Sequence, residues 1–260
     1  MSRRSNERLC YQGVHNIDLN QWGQDRFSEA RQILMPHGLP LVAELIPKRY
    51  LLGSNLWIPF GPKRGCNVYP RADNEWDNLV LLEGDPDVLY YCENYPAACR
   101  RIDGKNRKTV FDAFALYRNG SVLLVEVKDD NTTVPPEGSR EYWQLRTQEV
   151  YTNVYDIPYE RRDIVFFNQH RLQINNWKAI LADLTTWNGR NLRHEEYLVA
   201  QFLRSYAEYG CPLRTIMHAI GGDSKDAIRV ATYRLLHKGD IAAPLNEVSY
   251  QEAYYRIRHG

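Results

Sequence analysis

The sequence lacks long apolar runs, paired cysteine motifs and a strong net charge. Its longest apolar stretches, such as LPLVAELIP and NLVLL, are far shorter than the roughly 18 residues that a membrane-spanning helix needs. The opening residues MSRRSNERLC contain no apolar signal region, so we expect a soluble, cytoplasmic protein. The five cysteines form no Cys-x-x-Cys pair, which predicts reduced thiols instead of a disulfide framework or a zinc site.

The formal net charge is only +1, but the charged residues are unevenly distributed. Residues 1–70 carry a net charge of +4, residues 71–188 of −5 and residues 189–260 of +2. If phosphate is the partner, the basic flanks would supply the attraction, and a central acidic cluster would need cations to tolerate DNA. Ordinary surface variation explains the same distribution. A net charge near zero argues against strong autonomous DNA binding, which usually requires a marked basic field.

The order of the predicted elements indicates an α/β fold. Residues 1–70 give few signals: a helix around 27–35 and extended pieces around 41–46 and 50–60. Further along the chain, the patterns predict a helix over 73–83, a strand over 87–95, a strand pair around Arg118-Asn119-Gly120, a helix over 140–155, a strand over 163–168 and a helix over 172–187. This order, α-β-β-β-α-β-α, ends at a linker, WNGRN.

The segment after the linker has helical periodicity throughout. It predicts helices over 193–209, 212–220 and 223–237, the last two joined by a Gly221-Gly222 turn, and the residues KGDIAAP are suited to begin a wing. This is a helix-turn-helix pattern. Winged-helix domains bind either DNA or proteins, and both readings stay open.

The stretch VFDAFALYRNGSVLLVEVKDD places charged residues in otherwise apolar strands. Glu126 and Lys128 are separated by one residue, so on a strand they share one face while Val125 and Val127 point to the other face. Asp112 lies on the preceding strand. A surface ion pair on an exposed sheet face is the simplest alternative explanation of Glu126 and Lys128.

The length of the hairpin loop decides whether Asp112 and Glu126 meet. A two-residue loop at Asn119-Gly120 would pair Asp112 with Val127 and put the two carboxylates on opposite faces. A three-residue loop with Gly120 in the left-handed conformation shifts the register by one and sets Asp112 across from Glu126, with Cβ atoms about 5 Å apart. We expect the three-residue loop, because the proposed chemistry requires it.

Two carboxylates at such a distance repel each other, and a cation between them would relieve the repulsion. Their hard oxygens suit Mg²⁺, with Mn²⁺ as a substitute. Lys128 is then suited to hold an attacking water or to stabilise the charge on a phosphodiester, with its pKa lowered by the metal. Glu75, in the first turn of the helix over 73–83, is a candidate third carboxylate, although stabilisation of the helix terminus also explains a Glu at this position.

These residues resemble the motifs of the PD-(D/E)xK nuclease superfamily, and most closely those of the TnsA family of transposon endonucleases. Glu75 is followed by WDNLVLLEGDPDVLYYCE and then by Asn94-Tyr95-Pro96, as in that family's helix, strand and (Q/N)-aromatic-Pro triplet. Asp112 corresponds to the catalytic Asp and Glu126-Val127-Lys128 to the (E/Q)-x-K strand. Phe111 stands where the superfamily motif has Pro.

The resemblance implies a restriction-endonuclease-like αβββαβ core with a mixed sheet, followed by a helical, winged-helix-like domain. It implies an N-terminal extension over 1–60 without assignment, a nuclease domain over 61–188 and the winged-helix-like domain over 189–260. Glu75, Asp112, Glu126 and the Val127 carbonyl would hold Mg²⁺, and Lys128 would complete the catalytic set.

The resemblance also implies an activity and partners. A TnsA-like enzyme cleaves the non-transferred 5′ strand of double-stranded DNA at transposon ends, together with a DDE transposase and with an AAA+ regulator that docks on the C-terminal domain. Two alternatives remain. One is a stand-alone nuclease of restriction, repair or phage type, and the other is a DNA-binding adaptor whose nuclease core is inactive.

Overall fold

The computed structural model describes residues 57–129, 135–206, 209–222 and 224–258, with the side chains of residues 98–101 left out. The helix expected around 27–35, the extended pieces up to residue 56 and nearly all of the 1–60 extension lie outside the described residues. Within the described ranges, no helix is long and apolar enough to cross a membrane.

The elements up to residue 169 form an α/β arrangement with a mixed sheet. They are, in chain order, β1 (Phe60–Gly61), β2 (Cys66–Asn67), α1 (Asp73–Gly84), β3 (Val88–Ile102), β4 (Lys105–Tyr117), β5 (Val122–Val127), α2 (Arg140–Tyr155), β6 (Tyr159–Arg162) and α3 (Ile164–Gln169). The four-stranded sheet has the order β3-β4-β5-β6, in which β3, β4 and β5 are antiparallel and β6 is parallel to β5. The predicted order α-β-β-β-α-β is confirmed.

Helix α2 packs on this sheet and begins and ends as its sequence predicts. Ser139 caps its first turn by accepting a hydrogen bond from the Tyr142 N–H (3.1 Å), and Asp156 ends it in the left-handed conformation. On the sheet side, the ring of Tyr151 lies 5.9 Å from that of Phe111, within the buried core. This packing fixes the helix across the strands that carry the candidate site.

The prediction of a strand over 163–168 is wrong, because these residues belong largely to helix α3. The Asp163 carboxylate accepts hydrogen bonds from the backbone N–H groups of Val165 and Phe166, both at 3.0 Å, and thereby caps the apolar run as a helix. The sixth strand lies just before this run, at Tyr159–Arg162. A short apolar run fits a buried helix as well as a buried strand, and the capping residue decides between them.

Strand β3 also differs from its prediction, since it continues through Pro96 to Ile102. Proline cannot donate to a sheet ladder, but β3 lies at one end of the strand order, where one side of the strand needs no partner. The longer strand pairs with β4 far beyond the point where β5 ends, from Tyr95 opposite Phe111 to Ile102 opposite Lys105.

The chain divides into two compact units, one containing residues 57–82 and Val88–Asn168 and the other containing Glu83–Asp87 and Gln169–Gly260. The later elements are α4 (Arg171–Thr186), α5 (Arg193–Arg204), β7 (Cys211–Pro212), α6 (Leu213–Ile220), α7 (Lys225–Lys238), β8 (Ile241–Ala242) and β9 (Tyr254–Ile257). The helices predicted over 172–187, 212–220 and 223–237 are confirmed, the one predicted over 193–209 ends at Arg204, and β8 pairs with β9 where the wing was expected to begin. The predicted domain bounds, 61–188 and 189–260, stay predictions.

Candidate active site

The β4–β5 hairpin has the three-residue loop that the sequence analysis predicts. The Tyr117 N–H donates to the Ser121 carbonyl and the Gly120 N–H donates to the Tyr117 carbonyl, both at 2.9 Å. Gly120 has a φ of 84°, a conformation that a residue with a Cβ rarely adopts. Continued along the strands, this register sets Asp112 opposite Glu126.

The two strands separate just before Asp112 and Glu126 are reached. The last pair of the β4–β5 ladder is Ala113 and Val125. Beyond it, the Val127 N–H donates to the Asp112 carboxylate at 2.7 Å instead of to the backbone of β4. The side chain of Asp112 therefore occupies the fork between the strands, while β5 continues its parallel pairing with β6 on its other side.

Glu126 lies beneath helix α2 and is only 1% exposed, which excludes the alternative of an ion pair on an open sheet face. Its carboxylate accepts hydrogen bonds from the side-chain amides of Gln144 at 2.9 Å and Gln148 at 2.5 Å. The Tyr159 hydroxyl donates to the amide oxygen of Gln148 at 3.0 Å, which fixes the orientation of that amide. Two glutamines thus hold one carboxylate in place.

Lys128 follows directly after β5 and bridges two carboxylates. Its ammonium lies 3.0 Å from Glu126 and 3.2 Å from Glu141, in the first turn of α2. Burial opposes its charge, but the attraction of Glu126 and Glu141 outweighs burial and raises the pKa of Lys128. The lowered pKa that the sequence analysis expects concerns a metal-loaded site. In this arrangement, Lys128 is a protonated group held at the edge of the carboxylate cluster.

Glu75 lies in the first turn of α1, as predicted. Its carboxylate accepts a hydrogen bond from the Arg71 N–H at 2.7 Å. Burial raises the pKa of Glu75, and the nearby charges of Asp129 and Glu126 raise it further. Glu75 therefore belongs to the same electrostatic cluster as Glu126, although the two lie on different elements.

Asp112 is the most perturbed of the three predicted carboxylates. Burial raises its pKa well above the usual range, and the charges of Glu126 and Glu75 add to this effect. The pKa of Glu126 is raised by burial as well, against the opposing influence of Lys128 and Gln148. Glu126 is buried, Asp112 and Glu75 are partly buried, and their charges disfavour one another, which is the electrostatic setting that a divalent cation would relieve.

The depression beside these residues has a volume of about 330 Å³ and is lined by Ala72, Glu75, Val127, Lys128, Asp129 and Glu141. Glu75, Lys128 and Val127 thus face a space that a phosphate group can enter, whereas Asp112 and Glu126 are not among its lining residues. Asp129 accepts a hydrogen bond from the Asn74 amide at 3.3 Å.

The donor chemistry fits Mg²⁺ or Mn²⁺, since all three predicted side-chain ligands are carboxylates and their charges are coupled. However, among the described residues no group of three or more His, Cys, Asp or Glu side chains is gathered as a metal site. Each predicted ligand has a hydrogen-bond partner of its own: the Val127 N–H for Asp112 and the Arg71 N–H for Glu75. The metal therefore stays a prediction.

The structure brings together all five predicted site residues in one region, and it adds three that the sequence analysis missed or gave little weight. Gln144 and Gln148 are spaced by four residues on the face of α2 that is turned to the sheet, and Gln148 is fully buried. A buried polar residue at helical spacing is the signal that would have found them. Glu141 carries no comparable signal, because its contact with Lys128 depends on how the loop before α2 runs.

A scan of the sequence against protein-family models finds no match, and a search of curated proteins finds no similar sequence. The functional argument therefore rests on the residues and their geometry.

Proposed function

We propose that this protein is a Mg²⁺-dependent DNA endonuclease of the TnsA type. The observation that carries the proposal is the register of the β4–β5 hairpin, which sets Asp112 across from Glu126 at a fork in the sheet. Lys128 and Glu75 complete the set, and the charges of the three carboxylates influence one another's pKa. Elements that served only as a scaffold would have no need to bring one buried and two partly buried carboxylates together, where their charges repel one another.

Glu75, Asp112, Glu126 and the Val127 carbonyl would hold the cation. When bound, Mg²⁺ supplies activation of a water molecule and neutralisation of the charge that develops on the phosphodiester. The protein's own contribution is positional: Gln144 and Gln148 hold Glu126. Burial beneath α2 keeps water from competing for the Glu126 carboxylate.

Lys128 is proposed to act on the substrate. Its ammonium borders the depression, where it can orient the attacking water through a hydrogen bond and stabilise the additional negative charge on the phosphate oxygens. Glu126 and Glu141 hold it there and keep it protonated. Hydrolysis adds the water oxygen to phosphorus, breaks one P–O ester bond and requires a proton on the leaving oxygen.

The biological setting is part of the same proposal. The protein would cleave the non-transferred strand at transposon ends, while a separate DDE transposase cuts and joins the other strand. The C-terminal unit, with helices α5, α6 and α7 and the strand pair β8–β9, is proposed as a winged-helix-like domain that docks an AAA+ regulator. The near-neutral charge supports this division, because partner proteins would supply the choice of DNA site.

Binding of Mn²⁺ tests the site directly, since the free ion can be counted by electron paramagnetic resonance. The wild-type protein should bind Mn²⁺, and Asp112→Asn should lose that binding because a ligand charge is removed. Glu149→Gln, which alters an exposed carboxylate on α2 that pairs with Arg146, serves as the control and should bind as the wild type does. If the wild type binds no Mn²⁺, the nuclease proposal is wrong and the alternative, a DNA-binding adaptor with an inactive nuclease core, is favoured.

Strand cleavage tests the chemistry and the partner requirement. With Mg²⁺, the partner transposase and a transposon-end duplex, Lys128→Ala should slow cleavage of the 5′ strand by roughly 10²- to 10³-fold, the usual effect of removing one charge-stabilising group. Arg146→Ala is the matched control and should cleave normally. Efficient cleavage without any partner would favour the stand-alone nuclease, and normal cleavage by Lys128→Ala would refute the assignment.

A further inference from the structure

The β3–β4 hairpin extends far beyond the part of the sheet that contains β5. On β4, only Ala113 to Leu116 pair with β5, whereas the pairing with β3 continues from Ala97 opposite Thr109 to Ile102 opposite Lys105. We call residues 97–109 the basic arm. It is a two-stranded ribbon closed by a turn at residues 103 and 104, both with positive φ.

The basic arm reverses the charge of the segment in which it lies. Residues 71–188 have a net charge of −5, yet five of their fourteen basic residues fall within positions 100–108, which contain a single acidic residue. These basic residues are Arg100, Arg101, Lys105, Arg107 and Lys108. A net charge of +4 within nine residues is a local field that attracts a polyanion.

One basic residue of the arm anchors it to helix α2, and two others are exposed to solvent. The Arg107 guanidinium lies 3.5 Å from the ring centroid of Trp143 on α2, a cation–π contact that holds the arm against the helix carrying Gln144. Lys105 and Lys108 are exposed. The arm is therefore fixed relative to the candidate site while two of its ammonium groups face solvent.

The lysines of the arm lie within the length of one turn of a DNA duplex from the candidate site. At about 3.4 Å a residue, Lys108 and Lys105 lie roughly 14 Å and 24 Å along the strand from Asp112. B-form DNA rises about 3.4 Å per nucleotide on each strand, so these distances correspond to about four and seven nucleotides. Lys105 and Lys108 are three residues apart and so point to opposite faces of the ribbon, and a duplex whose groove receives the ribbon would bring a phosphate backbone near each of them.

We propose that the basic arm binds the phosphate backbone of duplex DNA on one side of the cleavage point. The choice of DNA as the polyanion rests on the proposed function, whereas the binding surface itself rests on the arm's charge, exposure and anchoring. The arm supplies sequence-independent affinity to an otherwise acidic segment. Base recognition is left to other surfaces or to partners.

The test measures binding of the full-length protein to a fluorescent duplex by anisotropy, in EDTA and across a range of KCl concentrations. Lys105→Glu combined with Lys108→Glu should weaken binding by roughly tenfold or more. The slope of log affinity against log salt should fall by roughly 2, since each lost phosphate contact contributes about 0.9. The neutral pair Lys105→Gln and Lys108→Gln should lower the slope similarly, and it serves if the charge reversal disturbs folding.

The control pair is Arg118→Glu with Arg146→Glu, which changes the net charge equally but lies off the arm. It should leave the slope unchanged and alter affinity far less than the arm variants do. Equal weakening by both pairs would overturn the proposal, as would wild-type affinity in the arm variants. Arm-dependent binding that is tighter for duplex RNA than for DNA would overturn the choice of DNA.

The EDTA condition keeps this test independent of the nuclease proposal. Binding that depends on the arm in a protein that holds no Mn²⁺ and cleaves nothing would support the arm and refute the enzyme. Cleavage that depends on Lys128, with normal DNA binding by the arm variants, would do the opposite.

Discussion

Two buried ion pairs in the same unit contrast a structural role with a proposed functional one. Arg64 and Glu93 are almost completely buried and lie 3.1 Å apart, and the Arg64 guanidinium also donates to the Tyr91 carbonyl at 2.9 Å. Lys128 and Glu126 lie 3.0 Å apart, but the Lys128 side chain is 19% exposed and borders the depression. The pairs have similar separations and differ in their surroundings.

The difference lies in the charge balance around each pair. The second Glu93 oxygen accepts a hydrogen bond from the Tyr69 N–H at 3.2 Å, so the Arg64–Glu93 pair is enclosed and its carboxylate is satisfied on both oxygens. Around Glu126, the further carboxylates of Asp112 and Glu75 leave an excess of negative charge. An ion pair that stabilises a fold balances its charges, whereas one that belongs to a site leaves charge for a ligand to neutralise.

The largest effect is expected at the enclosed pair. Arg64→Met should lower the free energy of unfolding by about 3–5 kcal/mol, because it leaves the Glu93 carboxylate buried without a countercharge. Chemical denaturation monitored by circular dichroism measures this loss. Arg64→Met combined with Glu93→Leu should recover most of it, since no unpaired charge then remains. A loss below about 1 kcal/mol in the single variant would mean that the pair is not structural.

An intermediate effect is expected at the glutamine that holds Glu126. Gln148→Ala should weaken Mn²⁺ binding by about 10- to 100-fold, because groups that orient a metal ligand typically have effects of this size. The readout is the Mn²⁺ dissociation constant of the folded protein, well below its unfolding temperature. Glu149→Ala, the adjacent exposed position, should leave the constant unchanged. Unaltered Mn²⁺ affinity in Gln148→Ala would show that the amide only fills space.

The smallest effect, and one of opposite sign, is expected at the fork. Without divalent cations at neutral pH, Asp112→Asn should raise the unfolding temperature, because it removes a buried charge that Glu126 and Glu75 disfavour. Since the pKa of Asp112 is raised in the folded state, the wild type loses stability as the pH rises above the ordinary carboxyl range, so the advantage of Asn should shrink at acidic pH. Calorimetric scans would detect this.

Divalent cations should reverse the order of stability at the fork. Mg²⁺ should stabilise the wild type by preferential binding to the folded state and should leave Asp112→Asn nearly unaffected. A lower unfolding temperature for Asp112→Asn without cations would mean that the Asp112 carboxylate stabilises the fold, as the Glu93 carboxylate does. The contrast between the two ion pairs would then be lost.

Local signals in the sequence were sufficient for the elements that carry the predicted ligands. The Asn119-Gly120 loop determines the register of the hairpin, and the acidic first turn and terminal glycine of α1 mark its bounds. The bounds of α1 depend on a few neighbouring residues and can be read from the sequence, whereas Asn119-Gly120 alone allows two loop lengths, and the three-residue loop was expected from the chemistry of Asp112 and Glu126. The register was the decisive one, since it alone determines whether Asp112 and Glu126 share a face.

Longer-range features were not accessible in the same way. Gln148 acts through residues 22 and 11 positions away, Glu126 and Tyr159, so its role appears only when α2 lies across the sheet. The misplaced sixth strand has a local cause, the capping of α3 by Asp163, which competes with the strand preference of the following apolar residues. The basic arm required the length of β3, and Pro96 concealed that length.

The loop at Asn119-Gly120 makes chemistry at one end of the hairpin depend on the residue count at the other. Substitutions at the exposed tip leave that count intact and are expected to be well tolerated. Deleting a single residue there would shift the register by one, turn Asp112 and Glu126 to opposite sides and move the buried side chains of one strand to the other face, so that both the site and the core packing would be lost. The residue count of an exposed tip therefore fixes both the packing of the sheet and the meeting of two carboxylates at its far end.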